Sequence, residues 1–497
     1  MENVINAINN VVWSNWLVGL CLCTGIYFSF RTRFSQVRHI KEMVTLLFKG
    51  EKSAEGISSF QALCTALAGR IGTGNIAGVA TAIAMGGPGA LFWMWAIAFL
   101  GAGSAFAESA LAQIYKEEHD GQYRGGPAYY IEKGFGNTKF SKWYGILFAV
   151  ATVFATGLLL PGVQSNSIAV AVNNAFSIDR GIVAVVLVVL LALIIFGGIK
   201  RIGSAAELIV PVMGGLYILM SVVIIVVNIN QVPAILSLIF KSAFGAEQAF
   251  AGIFGSTIAW GVKRGVYSNE AGQGTGPQAA AAAEVTHPAK QGLVQAFSVY
   301  VDTLFVCSAT AFMILMTGSY NVMAADGSMI VENLPGAEIG PIYTQNAVDT
   351  LMPGSGFGAA FIAIALFFFA FTTIMAYYYI AEVNIIYICK KIKSKNATKI
   401  AINMLRFILL AMTAFGCVKT AQLAWTMGDI GVGSMAWLNI VAILGLSNIA
   451  MKCFKDYESQ MKAGTPRDEI YFDPEKLGIK NADFWVERNK KIAKKVK

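Results

Sequence analysis

Charge is scarce in this chain of 497 residues. Asp, Glu, Lys and Arg together make up 13% of it, about half the share usual in soluble proteins. With 56% hydrophobic residues, that excludes a soluble enzyme and a disordered chain, and the length excludes a single-span receptor. Proline is low at 12 and glycine high at 50, which suits helices packed closely in lipid. Three histidines, His39, His119 and His287, all fall in loops expected in the cytoplasm. They exclude a histidine relay inside the bundle, although histidine is the side chain that titrates nearest physiological pH. Seven cysteines exclude a disulfide scaffold; most lie in apolar stretches and read as buried free thiols. The Cys21-x-Cys23 pair has no partner set for a metal. The P-loop, zincin and nucleophile-elbow patterns of common enzymes are missing too. No basic n-region precedes the first apolar stretch, Trp13–Phe30, which Arg31, Arg33 and Arg38 follow directly. That is an uncleaved signal-anchor pattern with the N-terminus outside.

What the chain does have is repeated apolar runs of membrane-spanning length. Eleven spans are predicted: 13–30, 60–85, 88–115, 143–174, 181–198, 203–228, 247–284 (broken), 292–317, 356–388, 400–417 and 422–451. An odd number with the N-terminus outside puts the C-terminus in the cytoplasm. The segments then expected inside, 31–58, 116–142, 200–201, 263–291, 390–399 and 452–497, hold 33 of the 38 Lys and Arg. That matches the positive-inside rule and explains the net charge of +9 without nucleic acid. The loop 318–354, with Asp326, Glu332, Glu338 and Asp349, reads as an outer segment that covers a vestibule or is merely solvated. The tail from Lys452 ends in Lys490, Lys491, Lys494, Lys495 and Lys497. It is expected to touch anionic lipid and to have no part in transport.

Two segments break the apolar pattern inside spans. Arg70-Ile-Gly-Thr-Gly-Asn75-Ile-Ala77-Gly78 and Arg264-Gly-Val-Tyr-Ser-Asn269-Glu-Ala271-Gly272 share the spacing Arg, four residues, Asn, one residue, Ala-Gly. They lie five spans apart and therefore face opposite ways, as in an inverted repeat with two discontinuous helices. Spans 2–6 and 7–11 would be the halves and span 1 an addition. In hydrocarbon an unwound stretch survives only where it lines a cavity. Gly72, Gly74 and Gly265 are expected to permit odd dihedrals there. Each broken helix offers a positive and a negative half-helix end, a pair suited to a zwitterionic amino acid. Glycines serving only close helix contact would not explain Arg70, Asn75, Asn269 and Glu270. An intramembrane charge costs about 2.5–3.5 kcal/mol on insertion scales.

These blocks, together with Gly86-Gly87-Pro88-Gly89-Ala90-Leu91-Phe92-Trp93-Met94-Trp95, resemble the sodium:alanine symporter family (alanine or glycine:cation symporters). The resemblance spans roughly residues 13–450. It implies a ten-helix inverted-repeat core of the leucine-transporter type, a small neutral amino acid as substrate, and Na⁺ or sometimes H⁺ as driver.

Candidate residues follow. At the first break Thr73, Gly74 and Asn75 are expected to meet the substrate carboxylate, as the wider fold implies; Asn75 alternatively caps the next half-helix. At the second break Asn269, Glu270 and Gly272 are candidates for the ammonium, with Glu270 more suited to an ion pair with Arg70 or Arg264, because an unpaired buried charge is costly. Gln164 and Asn166, in the fourth span, either orient the substrate or glue helices. For Na⁺, the carbonyls of Ala68 and Ile71 with the hydroxyls of Thr372 and Thr373 make an all-oxygen set for a hard cation; the related fold implies a hydroxyl pair there. Each Thr could instead bond its own i−4 carbonyl. Phe254, Trp260, Trp425 and Trp437 are candidate pocket walls, while Trp93, Met94 and Trp95 read as packing. Glu108, Glu207, Asp302, Glu382 and Asp429 lie in or near spans as gates or structural pairs.

The reading is therefore an all-α polytopic protein of the cell membrane, divided as 1–58 (extra helix and basic linker), 59–230 and 231–452 (the repeats) and 453–497 (tail). Its partners would be a small neutral amino acid, alanine or glycine, Na⁺ as coupling ion and the bilayer. No cofactor, nucleic acid or obligatory protein partner is expected. The alternatives are a proton-coupled symporter, an exchanger or a channel.

Overall fold

The computed structural model describes residues 2–48, 57–119, 121–324, 326–392 and 395–496. Nearly all of it is helical, because an apolar backbone in lipid must satisfy its own hydrogen bonds. Among the described residues eight helices are long and apolar enough to cross a membrane, and a ninth span is added if Ile229–Ala243 and Gln248–Asn269, bent by 43°, count as one. Eleven were expected. The segments that fall short are Arg180–Ile195 and the second expected span, which divides into Ser59–Arg70 and Gly74–Gly86. The first span is longer than expected, Val4–Arg31. A belt of exposed apolar side chains, among them Val185, Val189, Leu193, Leu208, Val212, Leu219 and Val223, marks the surface that needs lipid around it.

Both anticipated breaks are present. The first broken helix starts at a capping box, with the Ser58 hydroxyl accepting from Gln61 N and the Gln61 side chain from Ser58 N. It ends at Arg70, and the chain resumes as a π turn, Gly74–Gly78, running into Val79–Gly86. The second runs Phe254–Asn269, breaks, and continues Gly276–Ala282. Its break turns on left-handed backbone at Glu270, Gly272 and Gly274, with φ of 57°, 78° and 89°. For Glu270, which carries a Cβ, that conformation costs about 1–2 kcal/mol. The glycines expected to supply odd dihedrals do something else. Gly72, Gly74 and Gly265 have ordinary φ and serve close approach. A Cβ on Gly72 would collide with the Thr373 hydroxyl, one on Gly265 with Ile97, and one on Gly74 would lie 3.1 Å from Ser268 Cα.

Segments between the spans are more ordered than a sequence of loops suggests. Residues 228–247 contain a helix, Val232–Ala243. The basic segment 116–142 holds a small hairpin and the helix Pro127–Gly134. The loop 318–354 folds as a bulged hairpin and the helix Pro341–Asp349. The tail is not a free basic strand. It docks on the end of the bundle where the basic segments gather, through Arg467 to Glu42, Asn481 to the Lys133 carbonyl and a fully buried Trp485. There Lys390 pairs with Glu117 at 2.6 Å and Arg38 with Glu458 at 2.8 Å.

Candidate functional site

The two breaks face each other in the core. The helix Ser59–Arg70 ends with its last carbonyls aimed at the long helix Phe357–Ile392. There the Thr373 hydroxyl lies 2.8 Å from the Ala68 carbonyl and 3.4 Å from that of Ile71, and also 2.9 Å from its own Phe369 carbonyl. Three of the four expected cation ligands thus meet at one point, at the negative end of a half-helix. Thr372 does not join them; it is buried and, among the described residues, bonds the Phe369 carbonyl alone, at 2.9 Å. Its hydroxyl follows the local back-bonding pattern of helical threonines.

Past the break, the first free amides are already engaged. Gly72 N donates to Asn75 Oδ1 at 2.9 Å, and Thr73 N donates to Gln164 Oε1 at 3.0 Å. Asn75, inside the resuming turn, thus ties the backbone of the break back to it, and Gln164, just beyond the π turn Ala155–Leu159, presents an oxygen to the same positive end. The Thr73 hydroxyl and the Tyr267 hydroxyl are buried there without a hydrogen-bond partner among the described residues. Asn166 does not reach this place. It bonds the carbonyls of Gly416 and Lys419 at 3.0 and 2.7 Å, gluing two helices.

Asp302 and Glu108, which the sequence places only as gates or structural pairs, hold the two breaks. Asp302, on the π turn Val301–Cys307, accepts from Asn75 Nδ2 at 2.6 Å, from Ser268 Oγ at 2.9 Å and from Thr303 Oγ1 at 2.7 Å. It ties the first break to the second broken helix. Asn269 donates to Thr303 at 3.3 Å and caps Ala271 N at 3.0 Å. Its placement inside a span was the available signal, because intramembrane carboxylates are rarely without a function.

The second break has a network of its own. Gly272 N donates to Glu108 Oε1 at 3.2 Å; Asn439 donates to Glu108 Oε2 at 2.7 Å and to the Gly272 carbonyl at 2.9 Å; Tyr130 donates to Asn439. Both backbone groups of Gly272 are therefore committed to holding the break. The ion pair expected for Glu270 is not formed. Arg264 pairs instead with Asp429 at 2.7 Å, and Arg70 donates to Ser298 and the Gln295 carbonyl. Glu270 is buried beside Gly69 and Ala376, its Oε1 lacking a partner among the described residues.

Beyond the Arg264–Asp429 pair opens a cavity of about 760 Å³ lined by Asn9, Arg180, Trp260, Glu338, Lys419 and Trp425, among others. Lys263 joins the pair, 2.8 Å from Asp429. The Arg264 guanidinium lies 4.5 Å from the Trp425 ring centre and 5.1 Å from that of Trp260. Two of the four aromatic wall candidates are thus at the cavity. Phe254 is 39% exposed, and Trp437 anchors the N-terminal helix through the Val12 carbonyl. Lys263 and Arg264 were counted with the inner segments; the structure puts them at the same end as Arg180 and Lys419, because the helix breaks only after Asn269. Trp93 and Trp95 pack as expected, bonded to the Ala243 carbonyl and to Ser308.

The chain is similar to known proteins of one family. The profile of the sodium:alanine symporter family matches residues 1–471. YrbD of Bacillus subtilis (strain 168), provisionally named a sodium/proton-dependent alanine carrier, is 62% identical over 98% of each chain. The sodium/proton-dependent alanine carrier of Bacillus sp. (strain PS3) is 51% identical over 89% of this chain and 97% of its own. Among solved structures, MhsT in complex with L-phenylalanine superposes with a TM-score of 0.53 at 13% identity, over 82% of this chain and 98% of that one, a likeness of fold.

Proposed function

Because the chain belongs to the sodium:alanine symporter family, we propose that this transporter couples the entry of a small neutral amino acid, alanine or glycine, to Na⁺ by alternating access. The observation that carries the reading is the oxygen cluster of Thr373, Ala68 and Ile71 at the end of the first half-helix. Neutral hydroxyl and carbonyl oxygens are the ligands a hard monovalent cation takes. The adjoining positive end, at Thr73 and Gly74, suits the carboxylate of the amino acid. Gln164 Oε1 holds there the place of a carboxylate oxygen. Cation and carboxylate then bind at the two ends of one break, so each raises the affinity for the other. The Arg264–Asp429 pair under Trp425 closes the site from the outer cavity. The N-terminus is outside, the tail in the cytoplasm, and the two broken helices belong to inverted repeats.

A second reading, coupling to H⁺, is favoured by one observation. Glu270 is a buried carboxyl in the second break that forms no ion pair with Arg70 or Arg264 among the described residues. A buried carboxyl within a span that joins neither arginine is a candidate carrier for a transported proton. The two drivers separate in proteoliposomes. A Na⁺ gradient at equal pH drives alanine uptake in the first reading. In the second, a pH gradient without Na⁺ suffices, and Glu270→Gln abolishes it.

A further inference from the structure

The inner ends of the two broken helices are sewn together. Ile57 N donates to the Ala282 carbonyl and Glu284 N to the Ile57 carbonyl, both at 3.2 Å. The entry to the first broken helix is thereby joined to the exit of the second. The helix Ala90–Ile114 adds Gln113 Nε2 and, just beyond its end, Lys116 Nζ, both donating to the Ala283 carbonyl at 2.9 and 2.8 Å. Any path from the breaks toward this face must part that seam.

The tail lies across it, in residues largely beyond the stretch that defines the family. Phe472 N donates to the Thr286 carbonyl at 3.2 Å. Arg488 donates to the Val285 carbonyl at 2.6 Å, and Trp485 Nε1 to the Gln113 carbonyl at 2.8 Å. Trp485 is wholly buried, with the Phe472 ring 5.3 Å away and Lys116 Nζ 5.5 Å from its own ring centre. At its near end the tail is pinned by Arg467, which grips both oxygens of Glu42 at 2.7–2.9 Å. Residues 283–286 are thus held from one side by Gln113 and Ile57 and from the other by the tail. An indole buried with its N–H satisfied is a strong anchor, and a bidentate Arg–carboxylate pair adds geometric precision.

We propose that residues 467–488 are an inner latch, in which docked Trp485 and Arg488 hold the seam shut and undocking accompanies each opening toward the cytoplasm. The proposal rests on the alternating-access reading. It makes Trp485 and Arg488 positioning residues for gating, remote from substrate.

The test uses the full chain with Cys23→Ser, to remove the one exposed native thiol, and Ala283→Cys as reporter, labelled by an impermeant maleimide in inside-out vesicles. Losing about one hydrogen bond's net contribution shifts a closed–open equilibrium by roughly tenfold. Trp485→Ala and Arg488→Gln should therefore label about tenfold faster than the parent. Trp485→Phe, which keeps most of the buried ring, should lie between. Equal labelling rates in the parent, in both variants and in a chain ending at residue 466 would overturn the latch. Monodispersity on size exclusion separates an opened seam from a misfolded one. The readout needs no flux, so failure of the latch and failure of the transport reading are told apart by alanine uptake in the same vesicles.

Discussion

Gln164 Oε1 accepts the backbone N–H of Thr73 at 3.0 Å, across the first break. An amide oxygen therefore sits at the positive half-helix end to which the account assigns the substrate carboxylate. Gln164→Ala frees that N–H for the substrate carboxylate and should lower the apparent KM for alanine by up to about tenfold, the scale of one hydrogen bond at a binding site, and leave the half-saturating Na⁺ within about twofold. Gln164→Glu puts a fixed carboxylate at the same amide, and uptake should be lost although the protein folds. Normal uptake by Gln164→Glu would remove the carboxylate from this place.

Thr373 and Thr372 are adjacent, yet only Thr373 reaches the carbonyls of Ala68 and Ile71. Thr373→Ala should raise the half-saturating Na⁺ about tenfold or more, since one oxygen ligand is removed. Thr372→Ala should change it little, and Thr373→Ser should restore it. Sodium titration of uptake at fixed alanine distinguishes the three. Equal effects of the two alanine substitutions would contradict the assignment.

Asp429 balances two buried cations, Lys263 and Arg264, at 2.8 and 2.7 Å. Removing one partner of a buried pair leaves an uncompensated charge, typically costing about 3–5 kcal/mol. Asp429→Asn should therefore lower the thermal midpoint in detergent markedly, and Arg264→Gln added to it should recover part of the loss. A midpoint unchanged in Asp429→Asn would show that the pair contributes nothing to the stability of the fold.

The latch should loosen in acid. Burial holds His287 below its ordinary pKa of 6.5 despite its bond to Asp456, in a setting completed by Lys290, Tyr457 and Phe472. The unfolded segment binds more protons than the docked one, so docking weakens as pH falls through about 6.5. Glu42 acts in the same direction further down. Burial alone would raise it, but bonds from Arg467 and Tyr457 outweigh that and hold it below the usual carboxylate range. Its contribution is present above that range and is lost as pH falls through its lowered value. Protease cleavage at Arg488, half-buried while the tail is docked, should be faster in inside-out vesicles at pH 5.5 than at pH 7.5, relative to an unstructured control substrate, and His287→Gln should flatten the difference.

The apolar runs and the two polar interruptions were legible because lipid imposes them: spans must be apolar, and an Arg or Glu within one stands out. Thr73, Asn75 and Gln164 stood out in the same way, and the structure brings them together. Less was legible where the effect depends on who the neighbour is. Gly72 and Gly74 look like backbone hinges, but their role is set by Thr373, Gln164 and Ser268 packing against them, while the hinge angles fall at Glu270, Gly272 and Gly274. The sidedness of Lys263 and Arg264 depends on where within the span the helix breaks. Glu270 was expected to take an arginine, but each of the two available already has other partners. The tail reads as a basic segment at the lipid surface because its anchors, Phe472 and Trp485, are single aromatics without a period.

The most direct test of the account is uptake of radiolabelled L-alanine into proteoliposomes carrying an inward Na⁺ gradient, against a matched K⁺ control at equal pH on both sides. Accumulation above equilibrium with Na⁺ alone, saturable in both ligands, is expected. Accumulation that ignores Na⁺ and follows a pH gradient instead would contradict it.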